Sequence, residues 1–163
     1  MALIKTNLDK LDFSKLYKKQ IKNSTFKSKS SSDWDKKAKE FNQNIKASSY
    51  TKDFIKKVDL NDCETLLDVG SGPAAISLAL AKKLKNIYAL DYSPTMLELA
   101  KQNAKEQNIE NLITIDKSWY DSWEDVPNAD IVIASRSMEV KDIKKALIKL
   151  NEKANKRVYI TTK

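Results

Sequence analysis

The chain has 163 residues, 41% of them hydrophobic and 32% charged, the balance of one soluble globular domain with a core of its own. No apolar run approaches the roughly 20 residues of a membrane helix, and the N-terminus MALIKTNLDKLDF lacks the apolar centre of a signal peptide, so a cytoplasmic protein with no membrane partner is expected. With no histidine and one cysteine, Cys63, an internal disulfide, a zinc site of the usual kind and a His-dependent triad are excluded.

The net charge of +8 is uneven: residues 1–57 hold 15 Lys against 6 acids, while the remainder carries a small net negative charge. Ile4, Leu8, Leu11, Leu16 and Ile21 give this basic arm a sparse helical pattern, and the Ser/Lys-rich stretch 24–33 reads as a linker. The chain therefore divides into an arm and linker, 1–33, and a main domain, 34–163. After the linker, Ser32 or Asp33 is positioned to cap a helix with Trp34, Ala38, Phe41 and Ile45 on its apolar side. A short helix through Phe54, Ile55 and Val58 follows Tyr50.

From Thr65 short apolar strands alternate with amphipathic helices, the pattern of a parallel sheet covered on both faces. Strands are expected at 65–69, 87–91, 112–116, 130–134 and 157–162. Helices are expected at 74–84, 94–107 and 140–154. Ser93 and Pro94 supply start chemistry for the second of these, and Val140, Ile143, Leu147, Leu150 and Ala154 form the inward stripe of the last.

The segment Asp68-Val69-Gly70-Ser71-Gly72-Pro73-Ala74 follows a strand and opens a helix, the context in which a glycine-rich turn binds ligands. Gly70 permits a backbone conformation that a side chain opposes, and Gly72 permits close approach of a ligand to the backbone. Backbone N–H groups at the helix start are then free to receive a polar group. Asp91 ends the next strand 23 residues after Asp68, near the interval of about 20 at which a carboxylate reaches a ribose diol in nucleotide-binding sheets. Asp68 puts an anion near the ligand, which suits a cationic ligand better than a pyrophosphate. That separates the turn from the dinucleotide pattern G-x-G-x-x-A, which GSGPAA also satisfies.

Residues 64–139 resemble the class I S-adenosylmethionine-dependent methyltransferases. ETLLDVGSGPAAISLALA is similar to the family's first motif, YALDYSPTMLELAKQNA to its second and ADIVIASRSM to its fourth. The resemblance implies a Rossmann-like, doubly wound, mostly parallel α/β sheet with a helical N-terminal extension, and S-adenosylmethionine as cofactor, leaving as S-adenosylhomocysteine. It implies that Asp68, Gly70, Ser71 and Gly72 surround the methionine part, that Asp91 holds the ribose, and that Tyr92 and Met96 line the adenosine. Ser118 and Trp119 follow the third strand, where the family contacts adenine, although Asp116 stands two residues before Ser118. Ser135 and Arg136 follow the fourth strand and would face the transfer site.

Several of these residues carry a second reading. Trp119 and Trp123 are either cofactor contacts or a lid packed on the sheet. Arg136, one of two arginines, grips an acceptor carboxylate or phosphate or pairs with a surface acid. Tyr50 and Trp34 cap the site from the N-terminal helices or are ordinary packing. Methyl transfer needs alignment more than a dedicated catalytic residue, and without histidine only Asp, Glu or Tyr remains as a base.

The expected acceptor is a small molecule. ASRS stands where amino-methylating nucleic-acid enzymes of the family carry an Asp/Asn-Pro-Pro-aromatic motif, so only the basic arm supports an RNA or protein acceptor. A cofactor-binding module without turnover and an NAD-dependent oxidoreductase are the competing functions. The family's last two strands are missing after VYITTK, which leads to the expectation of a truncated chain or of a homodimer through the exposed strand edge.

Overall fold

The computed structural model describes residues 11–25 and 29–162. Ile4 and Leu8 of the arm, and residues 26–28 of the linker, lie outside the described residues. Among the described residues, six α-helices and five strands follow in the order α1 (Phe13–Asn23), α2 (Ser31–Ala47), α3 (Tyr50–Ile55), β1 (Thr65–Val69), α4 (Ala75–Leu80), β2 (Asn86–Asp91), α5 (Pro94–Glu106), β3 (Leu112–Asp116), β4 (Ala129–Ser135), α6 (Ile143–Lys153) and β5 (Ala154–Thr161). The strands form one parallel sheet in the order β3-β2-β1-β4-β5. The chain leaves β1 in one direction through β2 and β3, then returns to β4 on the other side of β1. This reversal falls at the carboxyl ends of β1 and β4, the place where open α/β sheets bind ligands. Both the glycine turn and the segment 135–137 emerge there.

Alternation along the central strands divides the core. Leu66, Ile87, Ile131 and Ile133 pack with Ile76 and Leu80 of α4 and Phe54 of α3 on one face. Leu67, Val69, Leu90, Val132 and Ala134 pack with Ala146 and Leu150 of α6 and with Trp123 and Val126 on the other. Small residues Ala74, Ala89, Ala100 and Ala104 let α5 lie close to the first face. Among the described residues no helix is long and apolar enough to cross a membrane.

The expected Rossmann-like α/β sheet is present, and the strand positions agree closely with the sequence. The helices differ in ways that have local causes. Helix α2 starts earlier than Ser32 or Asp33 would set it, because Ser30 is the cap. Its hydroxyl accepts the Asp33 N–H at 3.2 Å while the Asp33 carboxylate accepts the Ser30 N–H at 2.9 Å, a reciprocal pair that draws Ser31–Asp33 out of the linker into the helix. Helix α4 is shorter than 74–84 because Ala74 is left-handed, at φ +63°, and a 3-10 turn takes Ala81–Lys83.

Helix α6 starts at Ile143, since the Asp142 side chain accepts the Lys145 N–H. Ile143 and Leu150 face inward as expected, together with Ala146, while Leu147 is exposed. Val140 is buried ahead of the helix, and Ala154 already belongs to β5. The described part of the arm is docked: Tyr17 donates to the Val140 carbonyl at 2.6 Å, and Lys18 pairs with Asp142 at 2.6 Å.

Candidate functional site

The glycine turn leaves β1 through three left-handed residues, Gly70 at φ +68°, Gly72 at φ +55° and Ala74. Its first two N–H groups, of Gly70 and Ser71, both donate to the Leu90 carbonyl, at 2.7 and 3.1 Å, and so fasten the turn to β2. A Cβ on Gly70 would overlap the Cβ of Ser137, whose hydroxyl donates to the Val69 carbonyl at 2.6 Å. Gly70 is therefore required both for its dihedral angle and for the passage of the chain leaving β4. At Gly72 a Cβ would meet only ordinary contacts, 3.5 Å from the Phe41 ring and 3.9 Å from the Met96 sulfur. There the dihedral angle is the stronger demand.

Two carboxylates flank the turn. Asp68 is 2% exposed and accepts the Ser77 hydroxyl at 2.7 Å; burial first, with a further contribution from the charge of Asp91, pushes its pKa up to about 6. Asp91 accepts the Gly72 N–H at 2.8 Å with one oxygen and the Ser93 N–H at 2.9 Å with the other. Burial raises its pKa as well, against the opposing effect of these N–H donors. Each carboxylate oxygen has two acceptor directions, so Asp91 retains capacity toward a further donor. In the same turn, the Ser71 hydroxyl oxygen is buried without a hydrogen-bond partner among the described residues. A buried polar atom left in this way is costly to a purely structural turn and suits one that receives a ligand group.

Helix α2 covers the turn. Asp35 accepts from the Ser93 hydroxyl at 2.6 Å and from the Thr95 N–H at 3.2 Å, and Asn42 accepts from Asn103 at 2.9 Å. Tyr92 donates to the Lys29 carbonyl at 2.9 Å, and Trp34 packs edge-on against Phe41 with ring centroids 5.8 Å apart. Met96 is buried at the base of α5, its N–H held by the Ser93 hydroxyl. Asp35, Phe41 and Asn42 are contributors that sequence reasoning missed. The helical stripe marks Phe41 as an apolar position, but no local signal reveals that it faces Gly72.

The candidates after β3 and β4 are placed differently. Ser118 closes a tight turn, its N–H donating to Asp121 and its hydroxyl accepting the Tyr120 N–H. The Trp119 indole donates to the Ser137 carbonyl at 3.0 Å and lies 5.4 Å from the Trp123 ring, so both tryptophans pack as a cover on the sheet. Ser135, Tyr50 and Thr161 bring three hydroxyls together: Tyr50 lies 2.7 Å from each of the others, and Ser135 lies 3.2 Å from Thr161. Arg136, at φ +55°, lays its guanidinium 3.6 Å above the Tyr50 ring. Among the described residues no group of three or more His, Cys, Asp or Glu side chains is placed to hold a metal ion.

Residues 60–163 match a family model described as a methyltransferase domain. The chain belongs to the class I S-adenosylmethionine-dependent methyltransferase family. An uncharacterized protein of Haemophilus influenzae is 40% identical over 131 residues, 79% of this chain and 49% of that protein. A release factor glutamine methyltransferase of Aliivibrio fischeri is 33% identical over 76 residues, 45% of this chain and 27% of that enzyme. The chain thus spans half or less of the length of these relatives. Among solved structures, magnesium protoporphyrin IX methyltransferase of Synechocystis with bound S-adenosylhomocysteine has a TM-score of 0.56 at 19% identity, over 72% of this chain and 53% of that one. Coclaurine N-methyltransferase, bound to N-methylheliamine and S-adenosylhomocysteine, gives 0.58 at 19% identity, over 66% of this chain and 32% of that one. At such identities the structural likeness shows the fold alone.

Proposed function

We propose that this domain binds S-adenosylmethionine at the glycine turn and transfers its methyl group to a small-molecule acceptor held at the ends of β4 and β5. The observation that supports this most is the Asp91 carboxylate, which accepts from the backbone N–H groups of Gly72, Ser93 and Tyr92 and retains capacity for a further donor, at a turn whose buried Ser71 hydroxyl has no partner among the described residues. These residues fit a ligand with a ribose diol and a charged methionine end. Asp91 would accept from the ribose hydroxyls, while Tyr92 and Met96 would line the adenosine. Gly70, Ser71 and Gly72 would border the methionine part, with Asp68 adding negative potential beneath a cationic ligand. Ser118 and Trp119 would act as supports, shaping the adenine side through the loop they fasten to Ser137.

When bound, the cofactor supplies a methyl group on an already activated leaving sulfur. The protein's share is alignment and exclusion of water. Helix α2, with Phe41 over Gly72, would provide the dry wall on the donor side. Ser135, Arg136 and Tyr50 would orient the acceptor. In this reading 34–163 is the cofactor-binding unit, α2 its cover and helix α1 of the arm an accessory docked beside α6. Native mass spectrometry of the purified protein tests the proposal. A bound species with the mass of S-adenosylhomocysteine or S-adenosylmethionine is expected, and a nicotinamide dinucleotide in its place would overturn it.

A further inference from the structure

The two arginines of the chain are used in opposite ways. Arg157 is fully employed: its guanidinium pairs with Asp59 at 3.0 Å and donates to the Asn61 carbonyl and the Cys63 sulfur, both at 2.9 Å. The Arg136 side chain has no ion pair or hydrogen bond among the described residues and offers only its flat face to Tyr50. Stacking leaves the five N–H donors of a guanidinium in the plane of the group, free at its edge. The arrangement is also built. Tyr50 is fixed by its two hydroxyl contacts to Ser135 and Thr161, and the Arg136 N–H donates to the Thr161 carbonyl at 2.9 Å. A non-glycine residue at positive φ is held in a sparsely populated conformation, which persists where the surroundings enforce it.

The location gives this cation its meaning. Arg136 stands between Ser135, in the hydroxyl cluster, and Ser137, which fills the space beside Gly70. It is thus one residue from the wall of the glycine turn. We propose that Arg136, stacked on Tyr50, recognises an oxyanion, a carboxylate or a phosphate monoester, on the small-molecule methyl acceptor, with Ser135 and Thr161 setting the Tyr50 platform. The inference rests on the methyl-transfer reading above. Tyr50, Ser135 and Thr161 are positioning residues here, and Arg136 is the contact. A planar fork matches two oxygens of one anionic group, which a lysine at the same place does not.

The test uses the full chain with saturating S-adenosylhomocysteine. With only two arginines, the arginine Nε–H region of a nitrogen-15 spectrum holds two side-chain signals, and the Arg157 signal is an internal reference. Benzoate, phenyl phosphate and the neutral benzamide serve as probes. Benzoate or phenyl phosphate should shift the Arg136 signal in a saturable way and leave Arg157 in place, and whichever binds more tightly identifies the oxyanion. Benzamide should not shift it. Arg136→Lys should weaken the better anion at least about tenfold, the cost of losing a bidentate charge-assisted contact, while S-adenosylhomocysteine still binds. The proposal is overturned if neither anion moves Arg136, if benzamide moves it equally, if Arg136→Lys binds the anion as well, or if only an RNA oligonucleotide shifts the signal. Failure of S-adenosylhomocysteine to bind the wild-type chain would instead reject the underlying reading.

Discussion

The proposed donor half of the site and its proposed acceptor half are built by different means. Around Gly70, Gly72, Asp68 and Asp91 the side chains are buried, and backbone N–H groups lock the turn to β2. Around Arg136, Tyr50 and Thr161 the groups are half-buried or exposed; they come from the end of β4, from α3 and from the edge strand β5, and hydroxyls of Tyr50, Ser135 and Thr161 join these three segments. The donor half is part of the core, so changing it should alter stability and cofactor binding together. The proposed acceptor half sits on the rim, where substitutions should cost the fold less. In the proposed reading, such a division would let one cofactor site serve different acceptors.

The largest expected effect lies in the donor half. Gly70→Ala should destabilise the protein by about 2–4 kcal/mol, combining positive-φ strain with overlap on Ser137. Gly72→Ala carries only the dihedral cost and should lose about 1 kcal/mol. Chemical denaturation of both variants checks the order, and Ser137→Gly should restore part of the Gly70→Ala loss. Equal losses at the two glycines would break the packing account.

A smaller, pH-dependent effect is expected at Asp68. Its folded pKa of about 6 lies above the unfolded value of 3.8, so as pH rises the unfolded chain gives up this proton first. The contribution of Asp68 to stability is therefore most favourable below about pH 4 and is lost as pH rises to about 6. Asp68→Asn should be more stable than wild type at pH 7.5, by on the order of 1–3 kcal/mol, with the gap closing toward pH 4. It should also bind S-adenosylmethionine less well relative to neutral S-adenosylhomocysteine at pH 7.5. A pH-independent difference would remove the electrostatic role given to Asp68.

The smallest effect belongs to the acceptor half. Tyr50→Phe keeps the ring under Arg136 but deletes the shared hydroxyl, and should cost about 1 kcal/mol in thermal unfolding. Its affinity for S-adenosylhomocysteine should stay within about twofold of wild type, because no donor-half contact passes through Tyr50 in this reading. A large loss of cofactor affinity would merge the two halves into one.

What is legible in the sequence follows the same division. β1 and β3 keep their expected bounds, and α5 begins at Pro94 after the Ser93 cap, since apolar alternation and capping chemistry act over a few residues. The glycine turn, Asp68 and Asp91 are visible for the same reason, as spacing along two consecutive strands. Ala74 gives no warning of its left-handed backbone, because alanine is a strong helix former, and the expected α4 is too long as a result. The Ser30–Asp33 cap is hidden in a run of serines. Asp35 and Phe41 reach the site from α2, and Thr161 meets Tyr50 across 111 positions, so only tertiary packing brings them together.

The central claim, that Asp91 and the glycine turn form an S-adenosylmethionine site, is tested most directly by calorimetry with S-adenosylhomocysteine and NADH on wild type, Asp91→Asn and Asp91→Ala. Wild type should bind S-adenosylhomocysteine and not NADH. Asp91→Ala should lose about ten- to hundredfold in affinity, as expected for removing a charged acceptor, and Asp91→Asn should lie between. Unchanged affinity in Asp91→Ala, or tighter binding of NADH than of S-adenosylhomocysteine by wild type, would contradict the account.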